Sequence, residues 1–347
     1  MNLKFQSRVL DPQGLLGLIT LDRFDQLNAL TLEMVQGLYD QLKIWETDTR
    51  VKGVAINGAG SKAFCAGGDV KQLREAVLTQ GLKAADQFFK EEYRLDYLIA
   101  RYPKPILVFG HGWVLGGGVG LLQGASHTVL NKGATLAMPE VLIGLIPDVG
   151  ATYYLPRLKH GLGAVLALTG IRISAFEAKA VGWVKYVVPH DTLDDMLEAL
   201  SRHSEAHIFD ALDRVSLDAP ATEHRDVSSV EPLKNWCHEY WAMPPRSPAE
   251  LANRLHSLSR ICRGEPSLTA VEANLAQASP YALWQTHLKL QSSKDLSLFE
   301  SLVAEREACL ACIEHGDFLE AVRVKLVDRS GEKPFKIEAL EALDKRG

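Results

Sequence analysis

The feature that most constrains this chain is an alternation of strand-like and helix-like segments over its first part. Three apolar, partly β-branched runs are typical of strands: residues 17–21, 51–56 and 105–109. After Thr31, apolar residues recur on one helical face, which predicts a capped helix from Leu32 to about Trp45. A second helix is predicted from Asp69 to about Leu78. Such alternation predicts an α/β fold with several parallel strands.

The second part of the chain has a different character, because its strand signals are few. Helical patterns are predicted there at residues 175–181, 194–204, 248–258, 267–278 and 296–314. The change falls near residues 190–205. We therefore predict an α/β core over residues 1–200 and a mostly helical region over residues 201–347.

Composition limits the classes of function. The formal net charge of −5 disfavours binding to nucleic acids or anionic membranes, which needs a basic surface. No secretory signal, transit peptide or membrane-spanning apolar run is recognisable. Five cysteines in 347 residues do not suggest a disulfide framework. The Cys309-x-x-Cys312 pair favours two buried apolar residues over a redox or zinc site, and a cytoplasmic location is expected.

Two glycine-rich turns each join a strand-like run to a helix. They are centred on Gly67-Gly68 and on Gly116-Gly117-Gly118. Paired glycines expose backbone N–H groups, and such groups can stabilise an oxyanion. Each turn alone is equally compatible with a tight structural turn, but two in one α/β unit favour a two-donor oxyanion hole. Neither is a dinucleotide fingerprint, since Leu121 stands where the third glycine is required. No metal-binding pattern is present, so no metal is expected.

Two carboxylates stand out in an otherwise apolar stretch. Glu140 follows Pro139, and Asp148 follows Pro147. Gly144 and Pro147 prevent one continuous helix, so the segment should fold back on itself. A carboxylate in apolar surroundings tends to have a raised pKa, which suits a general acid or base. The alternative interpretation is a charge at a helix N-terminus for Glu140 and a capping role for Asp148.

Taken together, these segments closely resemble the enoyl-CoA hydratase/isomerase (crotonase) superfamily. The matching stretches are residues 27–30, 63–69, 115–118 and 138–157. The resemblance implies a spiral of ββα units followed by helices, and acyl-coenzyme A thioesters as ligands. By position, Gly68 and Gly117 would supply the two oxyanion-hole N–H groups. No cofactor is expected, because coenzyme A would be part of the substrate.

Within the superfamily, the pattern is most similar to that of 3-hydroxyisobutyryl-CoA hydrolases. The similar stretches are residues 91–93, 117–120, 137–140, 147–150, 316–323 and 326–328. This resemblance implies hydrolysis of a short branched 3-hydroxyacyl-CoA in valine catabolism. Glu140 would be the nucleophile or the base that activates water, and Asp148 would orient the substrate hydroxyl or shuttle a proton. Glu92 would bind that hydroxyl, although without the resemblance a solvated helix charge would be favoured.

Two other hypotheses remain open. The same scaffold catalyses hydration or double-bond isomerisation, but hydratases carry a glutamate where this chain has Gly120. Some relatives of this fold bind RNA without catalysis, which the acidic net charge and the Glu140/Asp148 pair disfavour. The partner expected is therefore a small acyl-CoA substrate, with no nucleic acid and no membrane. The resemblance leaves a homo-oligomer open.

Overall fold

The computed structural model describes residues 2–10, 14–203, 207–218, 231–264, 268–330, 340 and 343. The chain forms two compact units, and each is assembled from separate stretches. The first unit comprises Met1–Asp69, Glu91–Leu136 and Ile173–His224, and the second comprises Val70–Lys90, Ala137–Arg172 and Arg225–Gly347. The division at residue 200, which was based on the scarcity of strand signals in the second part of the chain, stays a prediction.

The strands lie mainly in the first unit. In chain order they are β1 (Leu3–Leu10), β2 (Gly14–Leu21), β3 (Val51–Gly58), β4 (Ala63–Cys65), β5 (Ile106–Gly110), β6 (Trp113–Leu115), β7 (His127–Asn131), β8 (Thr135–Ala137), β9 (Ile173–Ser174) and β10 (Tyr186–Val188). The three predicted strand runs correspond to β2, β3 and β5.

The main sheet has six strands in the order β1-β2-β3-β5-β7-β10. β1 and β2 pair antiparallel, whereas every other neighbouring pair is parallel. All five residues of β5 are buried, as expected for a strand covered on both faces. A smaller sheet has the order β4-β6-β8-β9. The predicted α/β class with parallel strands is confirmed.

The helices occur in both units. In chain order they are α1 (Leu32–Thr47), α2 (Val70–Gln80), α3 (Leu82–Ala100), α4 (Gly117–Gln123), α5 (Ala151–Tyr154), α6 (Gly163–Thr169), α7 (Ala175–Val181), α8 (Leu193–Ser201), α9 (Leu212–Val215), α10 (Glu231–Ala242), α11 (Pro248–Cys262), α12 (Thr269–Leu275), α13 (Pro280–Ser292), α14 (Leu298–His315) and α15 (Phe318–Val322). Short 3-10 segments occur at Phe24–Gln26, Glu140–Ile143, Leu155–Arg157, Lys159–Gly161 and Ile208–Ala211, and a π-helical segment at Arg323–Asp328.

Local sequence explains where several helices begin. The hydroxyl of Thr31 accepts a hydrogen bond from the N–H of Met34, so the predicted cap of α1 is confirmed. α14 begins with a capping box in which Ser297 and Glu300 bond each other's backbone N–H groups. In the second unit, α13 packs against α14, α5 and α6, and α15 packs against α2. The described helices include none that is both long enough and apolar enough to span a bilayer.

Candidate active site

The first part of the candidate site is the turn after β4. The N–H of Leu30 donates to the carbonyl of Gly67 at 2.8 Å, and the N–H of Asp69 donates to the carbonyl of Leu30 at 2.8 Å. These two bonds fix the backbone on either side of Gly68. Gly67 has φ of +96°, a conformation that glycine adopts without strain. The N–H of Gly68 donates no hydrogen bond to any residue that the structure describes.

The second part is the start of α4. Gly117 is its first residue, so its N–H has no partner within the helix. It donates no hydrogen bond elsewhere within the described part of the chain. A Cβ atom placed on Gly117 would lie 3.4 Å from the nitrogen of Gly68 and 2.5 Å from Oε1 of Glu92. The structure therefore brings together three of the predicted site residues, and a side chain at position 117 would force the Glu92 carboxylate to move.

Glu92 lies on α3 and is only 4 % exposed. The interpretation of this residue as a solvated helix charge is therefore wrong. A side chain added at Gly117 would displace its carboxylate, so the absence of a side chain there makes room for Glu92. The first unit thus places a buried carboxylate beside two neighbouring backbone donors, an arrangement suited to a small polar ligand.

Asn28 supports the turn after β4, and the sequence analysis assigned it no role. It is fully buried with φ of +56°, and its Nδ2 donates to the carbonyls of Ala59 and Ala63 at 2.9 and 3.0 Å. Its Oδ1 accepts from the N–H of Arg23 at 3.0 Å. Asparagine tolerates a positive φ and can satisfy three backbone groups at once, which explains this residue type here. The only sequence signal was its position inside a stretch that resembles the superfamily.

Cys65 is the nucleophilic side chain nearest to the glycine turn in sequence. It is fully buried, and burial raises the pKa of its thiol to about 12, with the nearby charge of Glu92 acting in the same direction. A thiol with so high a pKa is almost entirely protonated at neutral pH and is a poor nucleophile. Covalent catalysis by Cys65 is therefore disfavoured.

Glu140 and Asp148 belong to the second unit and are both buried, at 7 % and 6 % exposure. Glu140 is the first residue of the short 3-10 segment, which ends at Gly144 with φ of +77°. The N–H of Leu145 then donates back to the carbonyl of Glu140 at 3.0 Å. The prediction that this segment folds back on itself is confirmed. Among the described residues, no group of three or more His, Cys, Asp or Glu is arranged to hold a metal.

Asp148 does not cap the helix that follows it. The N-cap of α5 is Gly150, and no side chain caps that helix locally. The capping interpretation of Asp148 is therefore wrong. Cys309 of α14 places its Sγ 3.7 Å from Oδ2 of Asp148. Cys309 and Cys312 are both buried and free, as predicted for the Cys-x-x-Cys pair.

Comparison with known proteins adds independent information. The model of the enoyl-CoA hydratase/isomerase family matches residues 16–346. A 3-hydroxyisobutyryl-CoA hydrolase, mitochondrial, from Xenopus laevis is 34% identical over 96% of this chain and 85% of its own length. The protein of the same name from Homo sapiens is 34% identical over 94% of this chain and 83% of its own length.

Solved structures agree with the sequence comparisons. An enoyl-CoA hydratase from Rhodobacter sphaeroides has a TM-score of 0.79 and 30% identity, covering 96% of this chain and 91% of that chain. A carnitinyl-CoA dehydratase from Mycobacterium thermoresistibile has a TM-score of 0.78 and 32% identity, covering 97% of this chain and 95% of that chain. The expected crotonase-like fold is confirmed. With a family model that covers nearly the whole sequence, this chain belongs to the enoyl-CoA hydratase/isomerase family.

Proposed function

We propose that the protein hydrolyses a short branched 3-hydroxyacyl-CoA thioester, with 3-hydroxyisobutyryl-CoA as the expected substrate, in valine catabolism. The observation that carries the proposal is the pair of neighbouring N–H groups of Gly68 and Gly117 beside the buried carboxylate of Glu92. The names of the curated relatives support the choice of substrate.

The two N–H groups would act on the thioester carbonyl. Attack on its carbon produces a tetrahedral intermediate whose oxygen carries a full negative charge. Donors that are already in place stabilise that charge without reorganisation, and one such donor contributes about 100- to 1,000-fold to kcat. The backbone bonds on either side of Gly68 hold its N–H in position before substrate arrives.

We assign the reacting carboxylates to Glu140 and Asp148 on the strength of the resemblance and of their burial. In one route, an oxygen of Glu140 attacks the carbonyl carbon, the C–S bond breaks, and water hydrolyses the resulting anhydride. In the other, Glu140 removes a proton from a water molecule that attacks the same carbon. Asp148 would orient the 3-hydroxyl or deliver the proton to the leaving thiolate, and Glu92 would accept a hydrogen bond from that hydroxyl.

Hydration of an enoyl-CoA double bond is the second candidate, because the two solved structures compared above are named as a hydratase and a dehydratase. Gly120 argues against it. This residue is buried within α4 and offers no carboxylate to handle water. One of the two acids used by hydratases would therefore be absent.

A thiol-release assay over a panel of acyl-CoA substrates, with and without a 3-hydroxyl, separates the two candidates. All five cysteines are buried and free, so the folded protein itself contributes little to the thiol signal. Release of coenzyme A chiefly from short 3-hydroxyacyl thioesters is the expected result. Loss of enoyl absorbance without thiol release would instead favour hydration and would refute the proposal.

Conservative variants test the two carboxylates. Glu140→Gln and Asp148→Asn should each lower kcat by about 100-fold or more, because each retains shape but loses the ionisable group. Glu307→Gln, an exposed carboxylate of the same unit, is the control and should retain wild-type turnover. Circular dichroism checks that all three variants fold. Wild-type turnover by a folded Glu140 or Asp148 variant would remove that residue from the mechanism.

A further inference from the structure

A second acidic residue, far from Asp148 in sequence, is tied to the turn that follows Asp148. Glu305 lies in the middle of α14 and is fully buried. Its Oε2 accepts from the N–H of Gly150 at 2.7 Å. Its Oε1 accepts from the N–H and the hydroxyl of Thr152 at 2.7 and 2.6 Å. Both carboxyl oxygens are thus used to hold the backbone just after Asp148.

The backbone at this point needs such support. Val149 has φ of +52° and Gly150 has φ of +89°. A β-branched residue in the left-handed region costs about 1–3 kcal/mol, and this conformation persists only where the surroundings impose it. Glu305 accepts hydrogen bonds from the N–H groups of Gly150 and Thr152, on the C-terminal side of the strained residue. They keep the chain from relaxing at Val149, which would rotate the neighbouring Asp148.

The same face of α14 also reaches the Asp148 side chain. Cys309 is one helical turn beyond Glu305, and residues four apart lie on one face of a helix. Its Sγ is 3.7 Å from Oδ2 of Asp148. One helix therefore holds both the backbone beside Asp148 and an oxygen of its carboxylate.

The position of Glu305 is energetically unfavourable for an acid. Within the described residues, no basic side chain forms an ion pair with it, and the charge of Asp148 disfavours its ionisation. Burying a carboxyl without a cation costs several kcal/mol unless hydrogen bonds compensate. Here the three hydrogen bonds that Glu305 accepts from Gly150 and Thr152 offset this cost, so the buried acid and the turn beside Asp148 stabilise each other.

We propose that Glu305 is a positioning residue for the reaction: it fixes the turn at Val149 and Gly150 and thereby the direction of the Asp148 carboxylate. The inference rests on the proposed function, because it requires that Asp148 takes part in catalysis. The alternative is that Glu305 only stabilises α5 by satisfying N–H groups at its N-terminus.

Kinetics of Glu305→Gln separate these two roles. The amide can accept a hydrogen bond on one side only, and its NH2 group faces a backbone N–H on the other side. We expect kcat to fall about 10- to 100-fold and KM to change less than threefold. Ser301→Ala, which removes a buried hydroxyl without a hydrogen-bond partner among the described residues, lies one turn earlier on α14 and should behave as wild type.

The kcat of the double variant Glu305→Gln/Asp148→Asn distinguishes a positioning role from a purely structural one. If Glu305 acts through Asp148, then adding Glu305→Gln to Asp148→Asn should cause no further loss of kcat. Should Glu305→Gln fail to fold, Thr152→Val replaces it. It removes the hydroxyl bond to Glu305, together with the bond that the same hydroxyl accepts from Ser293 at 3.1 Å, and should lower kcat about two- to fivefold.

The outcomes are distinct. Unchanged kcat in a folded Glu305→Gln protein, or multiplied losses in the double variant, would overturn the inference and leave the proposed function intact. The inference stands if the loss of kcat in the double variant equals the loss in Asp148→Asn alone. Absence of thiol release by the wild-type protein from every 3-hydroxyacyl thioester would overturn the proposed function and this inference together.

Discussion

Replacing Glu305 by glutamine should change how the stability of the protein depends on pH. Burial raises the pKa of the Glu305 carboxyl from 4.5 to about 8. The charge of Asp148 acts in the same direction, and the donors on Gly150 and Thr152 oppose the shift. In the unfolded chain the same group titrates near its ordinary value. The folded protein therefore holds a proton that the unfolded chain has lost between pH 4.5 and 8.

The sign and size of the effect follow from this difference. A group whose folded pKa is raised stabilises the folded state fully below pH 4.5, and that contribution is lost as pH rises to 8. Each pKa unit corresponds to about 1.4 kcal/mol, so the full loss is on the order of 5 kcal/mol. For a chain of this size, about 1.4 kcal/mol corresponds to about 2 °C in melting temperature.

Thermal unfolding of the wild type and of Glu305→Gln at pH 5, 6, 7, 8 and 9 measures this effect. The melting temperature of the wild type relative to the variant should fall by about 2 °C per pH unit up to about pH 8 and then level off. Glu307→Gln, exposed on the same helix, should follow the wild type at every pH. A difference between wild type and Glu305→Gln that does not vary with pH would show that Glu305 is ionised throughout, and would refute the reasoning.

Two further predictions concern the glycine turns. Gly117→Ala retains the N–H but brings a Cβ within 2.5 Å of Glu92 Oε1, so kcat/KM for a 3-hydroxyacyl thioester should fall about 10- to 100-fold. Gly124→Ala at the end of the same helix meets only ordinary contacts at 3.4 Å or more and should stay active; equal activity of both variants would contradict the proposed steric effect. Asn28→Ala leaves three backbone groups without their partner and should lower the free energy of unfolding by about 2–4 kcal/mol, measured in urea. An unchanged urea midpoint would show that water replaces these bonds.

Local patterns were sufficient for much of the fold. The strand runs at β2, β3 and β5 and the capped helix α1 are encoded by side-chain periodicity and by residues a few positions apart, which act in any context. The two glycine turns could also be predicted from sequence, since only glycine combines a positive φ with close backbone approach. The family resemblance then identified Gly68, Gly117, Glu140 and Asp148 as candidates, each by its place in a short stretch.

Other features have no local signal because they depend on residues far apart in sequence. The sequence around Glu92 predicts a helix whether its side chain is solvated or buried. Its burial follows from packing around Gly117. Glu305 is separated from Thr152 by 153 positions, so nothing near it in the sequence indicates that it holds the Asp148 turn. The sequence by itself thus determined the elements and the glycine and acid candidates. Which acids are buried, and what each one holds, was decided by tertiary structure, because burial and hydrogen bonding depend on neighbours that only the folded chain supplies.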